Sequence, residues 1–112
     1  MDRSRFYHLY ISPKKDADLS EVTRTIASCT DCFQYDRNGF VIYTMFDAKE
    51  WYARLQKYVE PGGKMFICEI DITDYWGYMN DGLWKMLKKG KESQHKNLSE
   101  NNSVETVPKM LP

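Results

Sequence analysis

Hydrophobic residues along this chain repeat with two different periods, and segments of the two kinds alternate. Residues 18–29 and 47–59 carry apolar side chains at intervals of three and four, which predicts two amphipathic helices. A shorter helical pattern covers residues 81–89. The remaining apolar runs are short and rich in aromatic and β-branched residues, which is typical of β-strands. These runs are residues 6–11, 32–35, 40–45 and 65–72.

Each of the two long helices is predicted to begin at an aspartate. Asp18 and Asp47 stand three positions before Glu21 and Glu50, which is the spacing of a capping box. The sequence Pro61-Gly62-Gly63 is expected to end the second helix. The apolar faces that we expect to be buried are Leu19, Val22, Ile26 and Cys29 in the first helix and Trp51, Tyr52, Leu55, Tyr58 and Val59 in the second.

A tight turn is predicted between the second and third strands, at Asp36-Arg37-Asn38-Gly39. Asparagine and glycine both tolerate the positive φ angles that a two-residue hairpin turn requires. The sequence therefore predicts a β-hairpin with Asn38 and Gly39 at its centre.

The order of elements predicts an α+β domain of the ferredoxin-like βαββαβ class. In this class a four-stranded antiparallel sheet carries two helices on one face, and a short C-terminal helix would be added here. We assign the domain to residues 1–90. Residues 91–112 are polar and lack aromatic residues, and we interpret them as a disordered tail. The second face of the sheet then needs a cover, which the third helix, a second subunit or a ligand would provide.

Composition and charge indicate whether the chain is expected to be globular, to bind nucleic acid or to enter a membrane. The 112 residues are 42% hydrophobic, which suffices for one globular core. Sixteen basic and sixteen acidic residues balance, so the basic excess common in nucleic-acid-binding proteins is missing. No apolar run approaches the roughly 18 residues that span a bilayer, and residues 1–15 lack the hydrophobic region of a signal peptide. We expect a cytoplasmic protein with no membrane association.

The three cysteines do not predict a metal or redox site. Cys29 and Cys32 form a C-x-x-C pair, but a zinc ribbon requires a second such pair, and Cys68 stands by itself. We interpret Cys29 and Cys32 as small buried hydrophobic residues. The sequence predicts no cofactor and no metal ligand.

Aromatic, methionine and acidic residues are concentrated in residues 71–87. Tryptophan, tyrosine and methionine are enriched in protein–protein interfaces, so we predict that this segment binds a protein partner. Trp76 and Trp84 are expected to pack against the domain or against a second copy, because we expect a homodimer. The predicted partner-binding residues are Asp71, Asp74, Tyr75, Trp76, Tyr78, Met79 and Trp84.

Nucleic-acid binding is an alternative prediction. Aromatic residues on a sheet surface can stack on the bases of RNA or single-stranded DNA while nearby cations contact phosphates. The residues assigned to this alternative are Tyr10, Tyr43, Lys14, Lys15, Arg37, Lys85, Lys88 and Lys89.

Catalytic chemistry is not assigned to any residue. His8 is the one histidine of the predicted domain, and no nucleophile accompanies it. Glu69 and Asp71 would lie about 7 Å apart on one strand face, where with Asp74 they could bind Mg²⁺ or transfer protons. The same alternation is typical of the solvent-facing side of an edge strand, which is the interpretation we adopt.

The segments KMFICEIDI (residues 64–72) and LWKMLKKG (residues 83–90) resemble the SinR-like branch of the small ferredoxin-fold proteins related to CRISPR-associated adaptation endonucleases. The resemblance implies the fold, dimer formation and a setting in bacterial or phage defence or a toxin–antitoxin pair. It also implies a third alternative, a metal-dependent nuclease. The nuclease members have an aspartate at the end of the first strand, where this chain has Tyr10-Ile11-Ser12-Pro13, and we therefore predict no cleavage. The matching residues are Phe66, Ile67, Glu69, Ile70, Trp76, Trp84 and Leu87.

Overall fold

The protein folds into an α+β arrangement of one four-stranded antiparallel sheet and three helices, described for residues 3–98 by a computed structural model. The strands are β1 (Arg5–Ser12), β2 (Asp31–Asp36), β3 (Gly39–Thr44) and β4 (Lys64–Glu69). The helices are α1 (Leu19–Ile26), α2 (Ala48–Val59) and α3 (Asp81–Leu98). None of these helices is long and apolar enough to cross a membrane.

The strands are arranged in the order β2-β3-β1-β4. Tyr10 of β1 lies opposite Gly39 of β3 on one side and opposite Phe66 of β4 on the other. Successive side chains of a strand point to opposite faces, so this register decides which residues share a face. Residues opposite Tyr10 in the neighbouring strands therefore share its face.

Helices α1 and α2 cover one face of the sheet. Val22 and Ile26 of α1 and Trp51 and Leu55 of α2 are buried against the inward residues of β1 and β3. The Trp51 side chain is fully buried, and its Nε1 donates a hydrogen bond to Thr44 Oγ1 over 3.0 Å. This is the core that the helical periodicity predicted.

Helix α3 covers part of the opposite face. Its inward residues are buried against one end of the sheet, where Phe6 and Tyr43 lie with ring centroids 4.6 Å apart. The third helix is thus a cover for the second face, as one of the alternatives predicted. The buried residues of this second cluster are Phe6, Val41, Tyr43, Ile72, Leu83, Met86 and Leu87.

The predicted helix starts are correct, but one capping box is not formed. Asp18 accepts hydrogen bonds from the backbone of Ser20 and Glu21, whereas the Glu21 carboxylate accepts from the Tyr58 hydroxyl at 3.2 Å. At α2 the box is complete, because Asp47 and Glu50 bond each other's backbone N–H groups.

Two residues predicted to be buried on the helix faces are exposed instead. Leu19 is the first residue of α1 and is exposed, and Tyr52 extends along the surface to the Glu60 carboxylate.

The hairpin between β2 and β3 is confirmed, although its turn differs from the prediction. Asp36 pairs with Gly39, so Arg37 and Asn38 are the central turn residues, and neither has a positive φ. Gly39 is needed for another reason. A Cβ atom at this position would lie 2.5 Å from Cζ of the Tyr35 ring. Asn38 additionally ties the turn to β1, because its Nδ2 donates to the carbonyl of Ile11 over 2.8 Å.

Strand β4 is shorter and helix α3 longer than predicted. Strand β4 ends at Glu69, and the chain then turns so that Ile72 is buried beneath α3. Helix α3 continues to Leu98, so the prediction that a disordered tail begins at residue 91 is wrong for residues 91–98. Gly90 lies against the Phe6 ring, and Gln94 Nε2 donates to the carbonyl of Ser4 over 3.0 Å. These contacts attach the polar end of the helix to β1. The rest of the predicted tail, residues 99–112, lies outside the described residues.

Candidate functional site

The first candidate surface is the β4–α3 loop, residues 70–80. Its base is packed against the domain. Ile72 is buried, and the Tyr75 ring stacks on Trp84 of α3 with centroids 5.9 Å apart and an interplanar angle of 12°. The ammonium group of Lys91 lies 5.4 Å from the Tyr75 ring centroid, within the range of a cation–π contact. The loop is therefore held at its base by aromatic packing.

The outer part of the β4–α3 loop presents two aromatic side chains to solvent. Trp76 is 79% exposed and Tyr78 is 92% exposed. Trp76 was predicted to pack against the domain or against a second copy. The first alternative is wrong, because Tyr75 occupies the stacking position on Trp84, and the second stays a prediction. Trp84 itself is half-buried, as predicted, and Met79 packs against the second cluster.

Carboxylates lie in the same loop as these exposed aromatic residues and at the start of α3. Asp71 and Asp74 are exposed, and Asp71 Oδ1 accepts a hydrogen bond from the backbone N–H of Thr73 over 3.1 Å. Asp81, at the start of α3, forms an ion pair with Lys85 over 3.2 Å. The structure thus brings the predicted partner-binding residues into one loop and one helix start, with Trp76, Tyr78, Asp71 and Asp74 accessible.

The second candidate surface is the open half of the sheet, which we define by His8, Tyr10, Tyr35, Phe66 and Cys68. These residues lie on the face that α3 covers only at the other end. Tyr10 and Phe66 are paired across β1 and β4, and His8 and Cys68 form the next pair of the same register. Phe66 is 61% exposed, and Tyr10 and Tyr35 are each 38% exposed.

Tyr35 reaches this surface because β2 is irregular. The register with β3 shifts between Gln34 and Asp36, so Tyr35 is an extra residue in its strand. Such a bulge redirects a side chain. The Tyr35 ring lies over Gly39, between β2 and β1, and its hydroxyl hydrogen-bonds to His8 Nε2. An aromatic row consequently runs across the open half from Tyr35 past Tyr10 to Phe66.

The residues predicted to bind nucleic acid separate into two groups. Tyr10 lies on the open half, and Arg37 and Lys15 lie next to it, in the β2–β3 turn and after the end of β1. Lys14 is directed elsewhere, because its Nζ donates to the carbonyl of Glu60 at the end of α2 over 3.4 Å. Tyr43 does not lie on the open half, because α3 buries it and its hydroxyl donates to the carbonyl of Gly90 over 3.3 Å. Its assignment to a stacking surface is wrong.

The helix lysines belong to a different surface. Lys85 is paired with Asp81, and Lys88 and Lys89 are exposed on α3, whose opposite side contacts the sheet. The structure does not bring these three lysines together with Tyr10.

Cys29 and Cys32 pack against the first core cluster, as predicted. The interaction between the two side chains raises the pKa of the Cys29 thiol, which burial raises further, and it lowers the pKa of Cys32. Cys29 Sγ also lies 2.9 Å from the carbonyl of Asp31.

The carboxylates of β4 do not form a cluster. Glu69 lies 3.9 Å from Arg5 Nε, whereas Asp71 bonds within its own loop. Within residues 3–98, no three histidine, cysteine, aspartate or glutamate side chains are grouped so that they could hold a metal ion.

Comparisons of this chain with protein-family models, with curated proteins and with solved structures found no match.

Proposed function

We propose that this protein acts by binding a protein partner through the β4–α3 loop. The observation that supports this proposal is the exposure of Trp76 and Tyr78 on a loop whose base is fixed by the Tyr75–Trp84 stack. An exposed aromatic pair on an ordered base costs little conformational entropy when a partner binds it, and tryptophan and tyrosine dominate interface hot spots. The partner, on this proposal, has an apolar pocket for these two rings.

The charges near the two rings indicate what kind of partner surface would bind them. Asp71 and Asp74 precede the two rings in the same loop, and neither forms an ion pair within residues 3–98. A partner with lysine or arginine residues around its pocket would match them. Such charges at the rim mainly raise the association rate, whereas the buried rings supply most of the affinity.

The proposal includes the ferredoxin-like class of the fold. The element order βαββαβ, the antiparallel strand order β2-β3-β1-β4 and the packing of α1 and α2 on one face support it. Dimer formation and a setting in defence or in a toxin–antitoxin pair remain predictions from the resemblance. A second copy of the chain is one of the partners that the following experiment identifies.

A photo-crosslinking amino acid placed at position 76 or 78 tests the proposal in cells that naturally make the protein. We expect a discrete adduct from each of these positions, identified by mass spectrometry. The matched control is position 52, because Tyr52 is also an exposed aromatic residue but lies on α2. An adduct that contains only this chain would identify a homodimer contact.

Alanine substitutions supply the second part of this test. With the crosslinker at position 74, the W76A/Y78A double substitution should abolish the adduct, and Y52A should leave it unchanged. Equal adducts from positions 52, 76 and 78, or no adduct from positions 76 and 78, would contradict the proposal.

A further inference from the structure

We infer that the open half of the sheet is a stacking site for the bases of single-stranded nucleic acid. This inference is independent of the partner-binding proposal, since it concerns a different face and different residues. It begins from the aromatic row formed by Tyr35, Tyr10 and Phe66.

The row has the geometry of a stacking platform. Directly paired residues of neighbouring strands have side chains about 5 Å apart, so Tyr10 and Phe66 are adjacent aromatic side chains on one face. Tyr35 extends it over Gly39, which has no side chain to separate the rings. The hydrogen bond between Tyr35 and His8 fixes the outer ring of the row. Bases of single-stranded RNA and DNA stack on aromatic side chains with little sequence preference.

Cations lie at the same end of the sheet. Lys64 is paired with Ser12 and points to the face of Phe66, two residues further along β4. Arg37 is in the turn that Asn38 bonds to the end of β1, where Lys15 follows. Within residues 3–98, Arg37, Lys15 and Lys64 form no ion pair. They are available for phosphates.

One carboxylate, Asp36, lies in the aromatic row, because it pairs with Gly39, and its Oδ1 accepts a hydrogen bond from the backbone N–H of Arg37 over 2.8 Å. The neighbouring row on this face is Phe33, Val41, His8 and Cys68, which α3 covers in part, and it has no carboxylate. The three cations Arg37, Lys15 and Lys64 therefore outnumber the single carboxylate of Asp36. A surface of aromatic rings bordered by free cations matches a strand of bases joined by phosphates.

The charges also favour this occupant over a second copy of the chain. Two open halves packed face to face would bring the cations of both copies into one interface, which repulsion disfavours. A phosphate backbone neutralises the same charges. Duplex nucleic acid fits poorly, because its bases are already stacked on one another.

Fluorescence anisotropy with labelled oligo-dT and oligo-U of about 15 nucleotides tests the inference at low salt. We expect binding that weakens steeply as salt is added, because counterions are released from the phosphates. Substitution of Tyr10, Tyr35 or Phe66 by alanine should weaken binding about tenfold each. These side chains are partly or largely exposed, so the variants are expected to fold.

Two variants serve as controls. Tyr52→Ala removes a comparably exposed aromatic residue from α2, and W76A/Y78A removes the aromatic residues of the β4–α3 loop. Both should bind the oligonucleotides as the unmodified protein does. The W76A/Y78A result also separates this inference from the partner-binding proposal, whose failure would leave oligonucleotide binding intact.

Alkylation of Cys68 locates the bound strand directly. Cys68 is exposed and lies on the face of Phe66, whereas Cys29 and Cys32 pack on the other face. Bound oligonucleotide should slow the reaction of Cys68 with iodoacetamide several-fold, as measured by peptide mass spectrometry, and should not affect Cys29 or Cys32.

Four results would overturn the inference. The first is the absence of oligonucleotide binding at low salt, and the second is equal binding of duplex DNA. The third is binding that W76A/Y78A weakens while Tyr10→Ala does not. The fourth is a sedimentation experiment in which Phe66→Ala converts a dimer to a monomer while no oligonucleotide binds, because the open half would then be covered by a second copy.

Discussion

At the scale of single residues, the two tryptophans at opposite faces of the sheet differ in how their indole N–H groups are satisfied. Trp51 Nε1 donates to Thr44 Oγ1, whereas Trp84 Nε1 is buried with no hydrogen-bond partner in the described part of the chain. A buried donor without an acceptor costs about 1–3 kcal/mol. The same residue type therefore contributes differently at the two positions.

We predict that Trp84→Phe changes the free energy of unfolding by less than about 1 kcal/mol, because relief of the unsatisfied N–H offsets the lost apolar area. The Tyr75 stack can persist on the smaller ring. Trp51→Phe is the matched control and should cost about 2 kcal/mol or more, since it leaves a cavity and removes a hydrogen bond. Urea denaturation of both variants measures the difference. A loss at Trp84 as large as that at Trp51 would contradict the prediction.

Glycine positions also show why part of the site was not predictable from the sequence. Asn38-Gly39 correctly predicted a hairpin, but the reason for Gly39 is the ring of Tyr35. That contact depends on a bulge in β2, and hydrophobic alternation contains no signal for an added residue. Tyr35 and His8 therefore could not be joined into one site from the sequence.

At the scale of secondary-structure elements, the approach of α3 to β1 depends on Gly90. A Cβ atom at this position would lie 3.0 Å from Cε2 and 3.1 Å from Cε1 of Phe6. Phe6 is buried and packed against Tyr43, so its ring has little room to move. A glycine inside a helix normally weakens it by about 1 kcal/mol relative to alanine. Here the close packing outweighs that preference.

We predict that Gly90→Ala lowers the free energy of unfolding by about 1 kcal/mol. Overpacking costs roughly 1–3 kcal/mol, whereas the higher helix propensity of alanine stabilises the helix by about 1 kcal/mol. Phe6→Leu should relieve the overlap. The F6L/G90A double variant should then be more stable than the sum of the two single changes predicts. Chemical denaturation of the four proteins measures this coupling. An increase in stability for Gly90→Ala would show that α3 does not lie this close to β1.

The same element shows where sequence patterns are insufficient. Leu83 and Leu87 lie four positions apart in the helical pattern of residues 81–89, and both are buried. The extension of α3 to Leu98 was not predicted, because residues 91–98 are mostly polar. An amphipathic helix is recognised in a sequence by its apolar face, which this segment lacks. Its attachment instead comes from Gly90 and from the bond of Gln94 to Ser4.

At the scale of the whole molecule, the order of the elements and the core beneath α1 and α2 could be predicted from the sequence. Which part of the second sheet face is buried and which part is open could not. The periods of the apolar residues determined which face of α1 and α2 is buried. The alternation of a strand places Phe66 and Cys68 of β4 on one face, and the register with β1 agrees. Alternation could not indicate that α3 leaves Phe66 and Cys68 exposed, because the part of the sheet that α3 buries depends on where the helix crosses the sheet.

Global stability is also linked to pH through Asp18, the residue that caps α1. Hydrogen bonds from Ser20, through both its side chain and its backbone, and from the backbone of Glu21 lower the pKa of Asp18 below its ordinary value of 3.8. A carboxyl group whose pKa is lower in the folded state stabilises the fold when ionised in both states. This contribution is complete above the ordinary value and is lost as pH falls through the folded one.

We predict that Asp18→Asn removes this part of the acid sensitivity of the whole domain. Asparagine is also a good N-cap, so the variant should fold. The difference in melting temperature between the unmodified protein and Asp18→Asn should stay constant from pH 7 to about pH 5 and then shrink as pH falls below the ordinary carboxyl range. Asp16→Asn, at an exposed position in the same loop, controls for the loss of one negative charge. If the melting temperatures of Asp18→Asn and the unmodified protein fell in parallel down to the lowest pH at which both fold, the hydrogen bonds to Asp18 would not contribute to the acid sensitivity of the fold.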